Sequence, residues 1–173
     1  CMATEKTSTL PSLPELLQQI QLDIGDNVEL YIIMAFMAAM LTIHGVAVLV
    51  IASAFHRTDR FLKSIPHLAG GSFISYFIAI LLIILTHITE IVAWTYVLVA
   101  LAVFPGITQT FYFVGEMYTT LGFGNYPLSS GWQILPILIS FSGVFAVSMS
   151  GAALYSMMGA LLTRKPGSAA PSA

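Results

Sequence analysis

The residues whose types and spacing could do chemistry lie in one short stretch, Thr119-Thr120-Leu121-Gly122-Phe123-Gly124-Asn125. A potassium ion crosses a membrane only if something replaces its water, and stacked rings of backbone carbonyls do so when successive residues turn them toward one axis. That requires unusual backbone angles. Glycine reaches positive φ without a Cβ penalty, so Gly122 and Gly124 at alternate positions allow an extended run of inward-facing carbonyls. On this reading K+ is held at Thr120, Leu121, Gly122 and Phe123, with Gly124 completing the segment and the Thr120 hydroxyl adding oxygens at the inner end. The preceding residues, Ile107 to Tyr118, read as a short helix whose negative C-terminal end favours a cation nearby.

A second constellation is sparser. His87 and Glu90 stand three apart on one helical face of an apolar run, and His44 lies at a similar depth in another. Ionisable side chains are expensive inside a bilayer and usually face protein interior or water. Two readings stay open. One is a hydrogen-bonded structural pair that ties its helix to the short helix before the glycines. The other is a pH- or metal-responsive site joined by His44, since histidine titrates near neutrality and binds transition metals. His56 and His67 flank a basic stretch and need only solvation. The single cysteine, Cys1, permits neither an intrachain disulfide nor a cysteine metal site, and nothing is assigned to it.

The elements that must position these groups follow from composition. Of 173 residues, 57% are hydrophobic and 8% charged, far below the roughly 25% charge of soluble domains. The expectation is an all-α membrane protein with the bilayer as its solvent. Residues 29–55 form an apolar run long enough to span. A basic stretch follows at 56–67, with Arg57, Arg60 and Lys63. A second span covers 68–104, with Trp94 and Tyr96 suited to an interfacial belt. Residues 105–130, opening on Pro105-Gly106, are too short to cross and are expected to enter the membrane and return, which requires shielding by protein or a water-filled cavity. A third span covers 131–163 and stops at Arg164-Lys165 in a tail, 164–173.

The net charge of -2 decides little; the placement of basic residues decides orientation, putting the 56–67 loop and the tail in the cytoplasm and the N-terminus outside. Residues 1–28 lack the pattern of a signal peptide and are read as an external segment, in which Leu13, Leu16, Leu17, Ile20 and Ile24 repeat at the spacing of an amphipathic surface helix.

The heptad Thr-Thr-Leu-Gly-Phe-Gly-Asn resembles the Thr-Thr-Val-Gly-Tyr-Gly-Asp signature of potassium channels. In that family an outer helix, a pore helix, a filter and an inner helix follow in this order, so the resemblance covers residues 69–163; the first span lies outside it. Glu116, four residues before Thr120, stands where some bacterial members place a glutamate behind the filter. The resemblance implies a homotetramer in a bacterial inner membrane, each chain giving a quarter of a K+-selective pore. It also implies passive conduction, with K+ as the permeant ion, no cofactor and no enzymatic chemistry. Glu116, Asn125 and Thr119 would brace the filter, the Asn125 amide bonding to Glu116. Gly143 falls near the place where the family's inner helix often hinges, although Gly143, Gly151 and Gly159 serve close helix packing equally well.

Leu121, Phe123 and Asn125 depart from the signature, which keeps a poorly selective cation pore open as an alternative. From a different class, a membrane metal-binding protein or enzyme could use His44, His87 and Glu90, but it lacks a catalytic spacing such as His-Glu-x-x-His and leaves the glycines unexplained. A non-conducting assembly subunit is a third possibility. Nothing basic or aromatic points to nucleic acid. Little chain follows the third span, so no attached ligand-binding domain is expected, and the first span lacks the arginine ladder of a voltage sensor.

Overall fold

The computed structural model describes residues 12–24, 28–63 and 71–162. The expectations for Cys1, His67, Arg164 and Lys165 lie outside them. Every regular element among the described residues is helical: α1 (Leu13–Ile24), α2 (Val28–Lys63), α3 (Gly71–Ala100), α4 (Ile107–Tyr118), a 3-10 turn (Ser130–Trp132) and α5 (Leu135–Leu162). Three helices are long and apolar enough to cross a membrane, over Val28–Phe61, Phe73–Ala100 and Leu135–Leu162. The first runs further than expected, because α2 continues unbroken through Arg57 and Arg60, within the stretch read as a loop. Both are good helix formers, and the Arg60 Nε–H donates to the carbonyl of His56 at 3.2 Å.

Helix α1 starts where its sequence says it should. The Ser12 backbone N–H donates to Glu15 Oε2 at 2.8 Å, half of a capping box. Leu13, Leu16, Leu17 and Ile20 are all exposed, so the apolar face of α1 is left largely uncovered by the described residues.

The long helices pack by depth. Ile33 of α2 meets Trp94 and Leu98 of α3 and Ile139 and Ala146 of α5 in one buried cluster, while Phe55 meets Ala79, Ile83 and Met157 in a second. Early α2 therefore faces late α3, which makes the two antiparallel, and α5 runs parallel to α2. Helix α4 wedges between α3 and α5, with Phe113, Val114 and Tyr118 in the first cluster. Trp94 is fully buried in that cluster, and its indole N–H donates to Ser142 Oγ at 3.3 Å. It does not join an interfacial belt: a buried acceptor satisfies its polar edge. Tyr96 is exposed. Threonines exposed to an apolar solvent satisfy themselves, Thr42, Thr86 and Thr89 donating to the carbonyl four residues back at 2.8–2.9 Å.

Two helices stop the same way. At the end of α3 Ala102 adopts φ 51, its N–H bonding Val99 O at 3.0 Å and the Val103 N–H bonding Leu98 O at 3.1 Å. At the end of α4 Thr120 adopts φ 59, its N–H bonding Met117 O at 3.1 Å and the Leu121 N–H bonding Glu116 O at 2.8 Å. Both are Schellman caps, which close the last helical carbonyls by turning one residue left-handed.

Candidate functional site

The loop after α4 is built on that cap. Thr120 and Gly122 (φ 62) are the two left-handed positions, so the alternation expected of Gly122 and Gly124 falls one glycine earlier. The physical reason is the Schellman turn, which demands a left-handed residue at Thr120. A non-glycine residue there costs about 1–2 kcal/mol, a strain that the two cap hydrogen bonds and the rest of the helix end must hold. Gly124 serves differently. A Cβ on it would lie 2.1 Å from the Tyr126 ring, so any other residue here requires that ring to move.

Glu116 fastens the loop to the helix. Its Oε2 accepts from the Gly124 N–H at 2.6 Å and its Oε1 from the Tyr126 hydroxyl at 2.8 Å. The expected bond to Asn125 is not formed. The carboxylate's two oxygens are taken by the residues on either side of it, and Asn125 is exposed. Thr119 is turned back as well, its hydroxyl donating to Gly115 O at 2.6 Å within its own helix. Behind the loop, Ser140 Oγ donates to Met117 O at 2.9 Å. Gly143 is buried against Tyr118 O within an unbroken α5. Residues 119–125 are all exposed, Phe123 by 87%. This side of the loop is left uncovered by the described residues.

The second constellation closes into a circuit. His44 Nδ1 lies 2.6 Å from Glu90 Oε1 and His44 Nε2 lies 3.0 Å from Ser150 Oγ; that oxygen lies 3.2 Å from His87 Nε2, and His87 Nδ1 lies 3.0 Å from the Tyr118 hydroxyl. The Tyr118 hydroxyl in turn donates to Glu90 Oε2. Five side chains from α2, α3, α4 and α5 thus form a closed loop of hydrogen bonds between the two apolar clusters. His87 and Glu90 do not pair directly. Each instead reaches α4 through Tyr118, and His44 is drawn in through Glu90.

Proton counting fixes the charge of this circuit. With Tyr118 donating to Glu90, the His87 Nδ1–H donates to Tyr118, and Ser150, which has one proton, donates to one imidazole Nε2 and accepts from the other. The remaining link, between His44 and Glu90, holds one further proton. Every link then has one proton and the circuit carries no net charge, as a low-dielectric setting favours. Among the described residues no buried side-chain nitrogen or oxygen lacks a partner.

Tyr118, Ser150 and Tyr126 escaped the sequence reading. A tyrosine at the end of an aromatic helix and a serine in a stripe of small residues look like packing. Only Tyr126, two residues past the last glycine, sat close enough to the motif to be suspected. Comparison with protein-family models, curated proteins and solved structures finds no match.

Proposed function

We propose that the chain is one subunit of a four-fold pore that conducts K+ passively through the backbone carbonyls of Thr120, Leu121, Gly122 and Phe123. The observation that carries this reading is the loop itself: Thr120 and Gly122 left-handed at alternate positions, at the C-terminal end of a helix too short to span, held between two helices long and apolar enough to do so. Alternating backbone handedness brings successive carbonyls toward one side, which a dehydrated cation requires. Helix α4 then acts as a pore helix and α5 as the inner helix. The uncovered loop fits a protein whose remaining lining comes from further copies of itself. The N-terminus lies outside and the basic end of α2 in the cytoplasm, as the positive-inside rule directs.

Glu116 acts as the brace of the filter through Gly124 and Tyr126. Purified protein in liposomes, tested under gradients of K+, Na+ and N-methylglucamine, decides the matter. K+ flux well above Na+ flux supports the reading, and equal flux of K+ and Na+ leaves a cation pore without selectivity. No flux of any of the three overturns it.

A further inference from the structure

His44, His87 and Glu90 each offer one ligand atom, and these atoms lie within 4.8 Å of one another. The Tyr118 oxygen stands at the same corner, 3.0 Å from His87 Nδ1 and bonded to Glu90 Oε2. We infer that this cluster is a binding site for one divalent transition-metal ion of the zinc and cobalt class, ligated by His44 Nδ1, His87 Nδ1, a Glu90 oxygen and the Tyr118 oxygen. The inference rests on the cluster and does not depend on the pore reading.

Three features carry it. The first is distance. Tetrahedral zinc with bonds of about 2.0–2.2 Å sets its ligand atoms roughly 3.3 Å apart. His44 Nδ1 stands 2.6 Å from Glu90 Oε1 and His87 Nδ1 3.0 Å from the Tyr118 oxygen, both near that value, and one ligand atom from each of His44, His87 and Glu90 lies within 4.8 Å of the others.

The second is the hydroxyl behind the imidazoles. Ser150 Oγ lies 3.0 Å from His44 Nε2 and 3.2 Å from His87 Nε2, so it can accept from both at once. A metal-bound histidine characteristically donates its other ring N–H to such a partner, which sets the tautomer and aims the free lone pair. With both Nε2 atoms protonated, both Nδ1 lone pairs face the Glu90 and Tyr118 corner.

The third is charge. A divalent cation in an apolar interior needs two anionic ligands, and the site offers a carboxylate and a phenol. The metal-free circuit holds five protons, one per link. The loaded site keeps three, on Ser150 and on the two Nε2 atoms. Two protons therefore leave as the ion enters, and the site stays neutral. Magnesium and calcium are disfavoured because they call for six or more oxygen ligands.

The test is direct. Wild-type protein, stripped with a chelator in detergent and titrated with Co2+, is expected to bind about one ion per chain with the visible ligand-field bands of tetrahedral cobalt. Zn2+ should bleach those bands. Glu90→Gln and His87→Asn should each abolish them, while His56→Asn, at an exposed histidine outside the cluster, should leave them intact. Should either variant fail to fold, the wild type still decides, because a bound ion raises its thermal midpoint and an absent one does not. Binding well below one ion per chain, or cobalt bands that persist in folded Glu90→Gln and His87→Asn, overturns the assignment. Neither result touches the pore reading, which the flux measurement decides separately.

Discussion

Gly143 lies against the backbone carbonyl of Tyr118, so closely that a Cβ on Gly143 would come within 1.9 Å of that oxygen. The obstacle is main chain at the end of one helix, and no rotamer change relieves it. Gly143→Ala is therefore expected to cost about 1–3 kcal/mol, the usual range for overpacking. The same change at Gly151 or Gly159 meets nothing within 4 Å and should be close to neutral. Thermal unfolding of the three variants in detergent makes the comparison, and equal losses at all three would show that the contact does not matter.

Glu116 bonds both Gly124 and Tyr126, so its removal should do more than the removal of either partner's contribution alone. Tyr126→Phe forfeits one hydrogen bond, about 0.5–1.5 kcal/mol. Glu116→Ala forfeits both and leaves the Gly124 N–H without an acceptor. The K+ to Na+ flux ratio in liposomes is expected to fall slightly for the first and strongly for the second. Asn125→Asp, outside this brace, should change it least.

Gly122 has open space around its Cβ position in the single chain, but its φ is 62. Conformation is the constraint there, at about 1–2 kcal/mol for an L-residue. Gly122→Ala is expected to leave the helices intact by circular dichroism and to abolish K+ flux. A variant that conducts K+ selectively at the wild-type rate would remove the loop from the pathway.

The buried circuit should be non-additive. His44→Ala strands the Glu90 carboxylate, and Tyr118→Phe removes the donor to its other oxygen. Each is expected to cost about 1–3 kcal/mol by leaving buried polar groups unpaired. The double variant should differ from the sum of the singles by at least about 0.5 kcal/mol, as members of one network do. Melting temperatures of the four proteins in a double-mutant cycle measure this directly.

At the other end of the chain, the Ser12 backbone N–H holds the Glu15 carboxyl below its ordinary value of 4.5. A depressed folded pKa means that the ionised form favours the capped helix. Its contribution is complete above the unfolded pKa and fades as pH falls through the lower, folded value. Helix α1 should therefore fray in acid, below about pH 4.5, and Glu15→Gln should remove that dependence. Backbone amide shifts across α1 on acid titration report it.

The three spans and the bounds of α4 were legible in the sequence because long apolar runs and a Pro-Gly break leave few alternatives. The brace was only half legible. Glu116 stood out from its position before the glycines, but its partner depends on how the loop turns, and Tyr126 folds back over Gly124. The circuit was least legible. His87 and Glu90 are conspicuous as ionisable groups among apolar ones. Ser150, by contrast, is indistinguishable in sequence from Ser148, whose hydroxyl merely donates to Val144 O four residues back. What separates them is the helical phase that turns Ser150 toward both histidines. That phase is set by contacts such as Trp94 with Ser142 between residues far apart in the chain.

The circuit also has an order in time. A chain made from its N-terminus contains His44 and Glu90 before it contains Tyr118 and Ser150. The 2.6 Å link between the first two lets α2 and α3 pair as a hairpin in which His44 and Glu90 already meet. Glu90 Oε2 and His44 Nε2 are left to be closed when the later helices arrive. Loss of His44 or Glu90 is thus expected to weaken the pairing of α2 with α3, whereas loss of Tyr118 or Ser150 is expected to weaken the later docking of α4 and α5 onto that pair.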